Sequence, residues 1–269
     1  MIRSAIARIP ILSHLLAPLR RRRARARFVA RYASFFGVYI SQAHAEADAP
    51  AGKAVGYSSP ALVPEYRALL DAQLARPGLE SYEYPVLHWL DALWQAGESR
   101  RVVDFGGNLG THFHAYAKYL AYPPELSWWI VDVPPIAAAG ELLAAERGAS
   151  ALRFTSRAAD VPSADLMLAS GSFQYLVDPL QVIRDTGVPR HLLVNRLPLG
   201  DAPTFWTLQN GGAVFYAQRI QQRDEFLSGV ASLGYRLVDE WEDRVDRCDI
   251  PLHPECSVDH YCGFYLRRD

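Results

Sequence analysis

Arg101-Val102-Val103-Asp104-Phe105-Gly106-Gly107-Asn108-Leu109-Gly110-Thr111 is the stretch that decides how this chain is read. An apolar pair, Val102 and Val103, runs into an acid. A glycine-rich turn follows, and then a helical pattern from Thr111 to Tyr122. A buried parallel strand hands over in this way to a helix whose N-terminus faces a ligand. Glycine lets backbone N–H groups approach that ligand with no Cβ between them. The spacing is D-x-G-G-N-L-G, with the acid two residues before the first glycine. A dinucleotide site asks instead for G-x-G-x-x-G. Asn108 keeps the turn available, because asparagine tolerates a left-handed backbone. The plainer alternative is a glycine turn joining any strand to any helix.

Downstream, Leu126 to Val131 forms a second apolar strand ending at Asp132. An acid there, about 20 residues past the turn, can accept both ribose hydroxyls of a nucleoside. It can also cap a helix opening at Pro134 and Pro135. Strands are expected at 101–105, 126–131, 151–155, 165–169, 191–195, 235–241 and 261–267. Helices are expected at 111–122, 134–147, 178–185 and 222–233. Such alternation predicts an α/β, Rossmann-like, doubly wound and mostly parallel seven-stranded sheet. The last two strands follow each other directly, so the final one is expected to be antiparallel. Helices over Pro64–Leu74 and Tyr84–Gln95 read as a lid. The expected division is a basic N-terminal segment and linker (1–56), a helical extension (57–98) and a catalytic domain (99–269).

The first motif resembles that of class I S-adenosylmethionine-dependent methyltransferases, in which a glycine usually occupies the position of Asn108. From about residue 84 onward the chain resembles a family of methyltransferases often encoded among surface-polysaccharide genes. The resemblance is carried by Val102–Gly110, Ser170-Gly-Ser-Phe-Gln-Tyr-Leu-Val-Asp-Pro179, Asn195-Arg-Leu-Pro198 and Tyr261-Cys-Gly-Phe-Tyr-Leu-Arg-Arg268. It implies S-adenosylmethionine as cofactor and a small-molecule or sugar precursor as acceptor. The family tends to have an acid where this chain has Asn195.

Composition narrows the partners. The 269 residues carry a formal charge of −1. Nine of the 28 basic residues are arginines within residues 1–31, which hold no acid, so the rest of the chain is acidic. That balance argues against nucleic acid as substrate. Seven of these arginines, from Arg20 onward, follow an apolar stripe of Ile6, Ile9, Leu12, Leu15, Leu16 and Leu19. Such a segment is either a peripheral contact with an anionic membrane surface or a solvated basic tail. No stretch reaches the ~18 apolar residues of a membrane span, and the charge lies on the wrong side for a secretory signal. A cytoplasmic protein is expected, with a peripheral placement at the inner membrane face as the alternative.

In an open α/β sheet the site forms beyond the carboxyl ends of the strands. Asp104, Gly106, Gly107, Asn108, Gly110, Asp132, Ser170 and Gln174 are therefore the expected cofactor residues. Tyr175 would wall the methyl-transfer position. Arg196 would grip an anionic acceptor group through its guanidinium fork, unless it is a structural partner of Asp132 or Asp178. The segment Cys248–Cys262 gathers all three cysteines with His253 and His260. It lacks the knuckle spacing of a zinc site, so no metal is assigned. If it rises beside the acceptor, His253 or His260 would take a hydroxyl proton. The rival functions are a nucleotide-dependent oxidoreductase and a non-catalytic scaffold at the membrane surface. Methyl transfer is the reading that accounts for the spacing of the motif.

Overall fold

The computed structural model describes residues 10–269, with side chains from residue 16 onward. Its centre is a seven-stranded sheet. Strands β3 (Arg101–Phe105), β4 (Ser127–Val131), β5 (Leu152–Thr155), β6 (Leu166–Ser170) and β7 (His191–Leu197) are parallel. They continue into β11 (Arg236–Asp243) and β12 (Tyr261–Arg267) in the order β11-β12-β7-β6-β3-β4-β5. β12 pairs antiparallel with both neighbours, as its place in the sequence predicts.

Alternation of side chains gives this sheet two cores. Val102, Trp128, Leu166 and Leu193 face helix α4 (Glu83–Gln95), whose Val86, Leu90, Leu93 and Trp94 form one buried apolar stripe. Val103, Met167, Leu192 and Val194 face the opposite way. They pack against Ile183 of α7 (Pro179–Asp185) and Phe226 and Val230 of α8 (Arg223–Ser232). The helix expected over 111–122 is shorter: α5 covers Thr111–Tyr116 and gives way to turns before Pro123 and Pro124.

The larger departure lies between the fifth strand and α8. The sequence predicts no strand between 195 and 222, but β9 (Phe205–Asn210) and β10 (Val214–Gln222) form an antiparallel hairpin there. The hairpin is the middle of a second sheet. β1 (Phe35–Tyr39) pairs with β9, while β2 (Ala54–Val55) and β8 (Leu199–Gly200) pair with β10. The stretch 41–56 is therefore not a plain linker, since it contains β2 and helix α2 (Gln42–Ala47).

Of the N-terminal stripe, Ile6 and Ile9 lie outside the described residues, as do the side chains of Leu12 and Leu15. Helix α1 (Pro10–Ala30) docks on the second sheet through Ala24 and Phe28, the latter stacked on Phe36 and Phe215. Asp48 ties it down, accepting from Arg25 at 2.8 Å and from the Tyr39 hydroxyl at 2.7 Å. The other face of β10 presents Val214 and Tyr216 to α3 (Leu62–Ala75) and α6 (Pro134–Glu146). The second sheet so roofs the carboxyl ends of the first.

Candidate active site

The turn after β3 is built on left-handed backbone. Gly106 has φ +71° and Asn108 φ +60°. The Asn108 Oδ1 accepts its neighbour's N–H, from Leu109, at 2.9 Å, a local bond that helps asparagine hold this conformation. Gly107 is required for a different reason. A Cβ there would lie 2.5 Å from the carboxyl carbon of Asp104. Asp104 is fully buried beneath the turn, where Oδ2 meets His112 Nδ1 at 3.0 Å and accepts from Trp128 Nε1 at 3.3 Å. Burial works against charge on His112, but Asp104 and, more weakly, Glu83 outweigh it and push its pKa up to about 9. His114, without such a partner, is pushed down to about 4 by burial.

Asp132 closes the turn from the second strand. Its Oδ2 accepts from the Asn108 N–H at 3.0 Å and its Oδ1 from the Val133 N–H at 2.8 Å. Burial raises its pKa to about 6, against the pull of these two bonds. It does not cap α6, whose first turn carries no side-chain cap. At the end of β6, the Ser170 hydroxyl accepts from Asn195 Nδ2 at 3.2 Å, while Asn195 Oδ1 accepts from Trp241 Nε1 at 2.9 Å. Asn195 is thus a buried pin between strands.

These elements enclose a cleft of 510 Å³ lined by Gly106, Asn108, Asp132, Ser170, Tyr175 and Arg196 together with residues of the roof. The roof supplies Gln42, Glu46, Tyr57, Tyr66 and Tyr216, none of which the sequence singles out. Tyr57 stacks on Tyr216 at 4.0 Å between centroids and meets Tyr175 edge-on at 4.8 Å. The Tyr175 hydroxyl donates to Gln209 at 2.7 Å, and burial raises its pKa to about 12. Of the expected cofactor residues, Asp104, Gly107 and Gly110 shape the turn without lining the cleft. Gln174 lines a neighbouring chamber instead.

Arg196 sits at the junction with an unusual backbone for a non-glycine residue, φ +56°. Its Nε donates to Asp246 at 2.8 Å, its Nη2 donates to the same oxygen, and Asp243 lies 3.8 Å away. Its guanidinium carbon lies 4.6 Å from the centroid of the Tyr82 ring. Burial opposes its charge, but Asp246 and Tyr82 outweigh it and raise its pKa. The expected structural partners were different ones. Asp132 holds the turn, and Asp178 caps α7 by accepting from the Gln181 N–H.

The structure does not bring His253 or His260 to the cleft. Their loop is closed by a backbone bridge between Cys248 and Val258. It is pinned down where Ile250 and Val258 pack with Phe205 and Ile220. His253 ends beside Glu255 at 3.4 Å in a small groove with Arg21 and Phe36. His260 lies 2.6 Å from Asp259. His260 lines a groove of 780 Å³ that is larger than the cleft but has neither a glycine turn nor parallel strand ends. Among the described residues no three His, Cys, Asp or Glu side chains gather as a metal site, and no helix is long and apolar enough to cross a membrane.

No family model matches the sequence, and no curated protein does. Solved structures do resemble the fold. One is the 1,6-didemethyltoxoflavin-N1-methyltransferase of Burkholderia thailandensis, with 1,6-didemethyltoxoflavin and S-adenosylhomocysteine bound. It is 16% identical over 82% of this chain and 92% of that one, with a TM-score of 0.48. Another is an S-adenosylmethionine-dependent methyltransferase from Clostridium acetobutylicum, 10% identical over 76% and 98%, TM-score 0.48. A third is human N-acetylserotonin methyltransferase in complex with SAM, 12% identical over 79% and 57%, TM-score 0.47. The fold assignment rests on the strand order and register described above.

Proposed function

We propose that the cleft holds S-adenosylmethionine and that the protein transfers its methyl group to a small acceptor, a class that includes the sugar precursors implied by the sequence resemblance. One observation carries this reading. A carboxylate at the end of the second parallel strand, Asp132, faces a cleft whose other wall is the left-handed turn at Gly106 and Asn108. Each Asp132 oxygen has accepted one backbone N–H and keeps a lone pair for a ribose hydroxyl. The cleft volume suits a nucleoside-sized ligand. The cofactor, when bound, supplies an electrophilic methyl on a sulfonium. The residues of the chain hold and align: Asp132 the ribose, the turn the remainder, Tyr175 and Tyr57 the aromatic wall. Arg196 spends Nε and Nη2 on Asp246. Its Nη1 has no hydrogen bond among the described residues and is the atom offered to an acceptor. His253 and His260 take no proton here, because they lie in other grooves.

Calorimetric titration with S-adenosylhomocysteine and, separately, with NAD tests the reading. Binding of the first alone is expected. Binding of NAD alone would transfer the cleft to an oxidoreductase, and binding of neither would favour a scaffold.

The membrane contact is proposed for the exposed face of α1, where the side chains of Arg20, Arg22, Arg23 and Arg27 are exposed.

A further inference from the structure

Beside the cleft lies a chamber of 240 Å³ that shares Tyr57, Tyr66, Tyr175, Arg196 and Tyr216 with it. Most polar groups around this chamber are already engaged within the protein. Gln209 accepts the Tyr175 hydroxyl at 2.7 Å, and Glu65 accepts the Ala213 N–H at 3.2 Å. Asp246 is held by Arg196, and Arg247 lies 3.1 Å from Asp249. Gln174 is different. It is 4% exposed, it lines the chamber, and its Oε1 has no hydrogen-bond partner among the described residues. A buried amide oxygen left bare costs folding free energy, so a donor that arrives with a ligand recovers that cost.

We infer that this chamber seats the methyl acceptor and that Gln174 is its specificity-determining residue, reading one N–H or O–H on a neutral planar ring. The inference rests on the methyltransferase reading for the reaction, though not for the binding. Size sets the first limit. An apolar cavity of about 150 Å³ holds one benzene. A chamber of 240 Å³ therefore takes one substituted ring and not a second. The walls set the next. Tyr57, Tyr175 and Tyr216 offer ring faces and edges, which suit a flat aromatic partner. A sugar would bring a hydroxyl on most ring carbons and need a partner for each, where Gln174 Oε1 is the one buried side-chain oxygen left bare around the chamber among the described residues. Charge sets the last, since Glu65 and Asp246 stand against Arg196 and Arg247 and leave no net call for a charged ring.

The test uses the full chain saturated with S-adenosylhomocysteine and three probes in calorimetry: phenol, anisole and methyl glucopyranoside. Phenol and anisole share a ring, but only phenol has a donor. Phenol is expected to bind at least about tenfold tighter than anisole, and methyl glucopyranoside not at all in the same range. In Gln174→Leu the gap between phenol and anisole should close while S-adenosylhomocysteine affinity stays within about twofold. The melting temperature of that variant should rise, because a bare buried oxygen is gone. Equal binding of phenol and anisole, a gap that survives Gln174→Leu, tighter binding of the glucoside, or no phenol binding would each overturn the inference. If the variant does not fold, the wild-type comparison decides alone. Loss of S-adenosylhomocysteine binding with the phenol gap intact would remove the methyltransferase reading and leave the chamber standing.

Discussion

The carboxylate of Asp132 holds the backbone N–H of Asn108 at 3.0 Å, across the gap between the second strand and the turn after the first. Strand end and turn are therefore one unit, and the acid shapes the site as well as facing it. Asp132→Ala should weaken S-adenosylhomocysteine binding by ~1–3 kcal/mol, the worth of charge-assisted hydrogen bonds to a ribose. Asp132→Asn keeps an oxygen for one N–H and should preserve the melting temperature better than Ala while still losing affinity. Calorimetry and thermal melts on both variants check this. Unchanged affinity in folded Asp132→Ala would take Asp132 out of the cofactor site.

Burial raises the pKa of Asp132 to about 6, above the ordinary value of about 3.9. The protonated form is thus favoured by folding, and this contribution to stability is present at low pH and lost as pH rises through 6. Ribose binding depends on the opposite form, because hydroxyls donate to the anion. S-adenosylhomocysteine affinity should therefore fall as pH drops from 7 through 6 and below. A wild-type affinity as flat between pH 5 and 7 as that of Asp132→Asn would mean that the carboxylate does not hold the ligand.

Arg196→Lys tests the junction. Lysine keeps the charge but loses the fork on Asp246 and the flat face above Tyr82. The Arg196 side chain is 34% exposed, so solvent screens part of the ion pair. A loss of ~1–2 kcal/mol of stability is expected, with S-adenosylhomocysteine affinity nearly unchanged. An unaltered melting temperature would show that the pair is not structural.

Removing residues 1–31 is a poor test of membrane contact, because Phe28 is 1% exposed and packs under the second sheet. Replacing Arg20, Arg22, Arg23 and Arg27 by Gln leaves that packing in place. It should weaken binding to phosphatidylserine vesicles by roughly 1 kcal/mol per arginine at low salt, and by less as salt rises. Equal vesicle binding by wild type and variant, measured by cosedimentation, would discard the contact.

The central sheet was legible because parallel buried strands leave continuous apolar runs such as Leu166–Ala169 and Leu192–Val194. The second sheet was not read, although its signal is present. Phe205 to Ile220 carries β-branched and aromatic residues on either side of Gly211-Gly212, a hairpin signature. Tyr57, Tyr66 and Tyr216 had no local signal, because they meet only when the two sheets stack. The placement of His253 and His260 could not be read from spacing. It is set by a loop whose own core, Ile250 and Val258, is anchored far along the chain at Phe205 and Ile220.

Gly107 tests whether the second glycine of the turn serves the ligand or the floor beneath it. A Cβ at this position would meet Asp104, and Asp104 has no room to retreat, being fixed by His112 and Trp128. Gly107→Ala should therefore cost ~1–3 kcal/mol of stability through overpacking, without any ligand present. It should also disturb the pair below. The His112 pKa is raised to about 9, so the stability the pair contributes is fully present below about pH 6.5. It is lost as pH rises through 9. An alanine that pushes Asp104 away from the imidazole should flatten this dependence. Thermal melts from pH 6 to 10 are expected to show a steeper fall for wild type than for Gly107→Ala. A variant that melts at the wild-type temperature at pH 7, or falls with the same slope, would mean that the turn is not braced on Asp104.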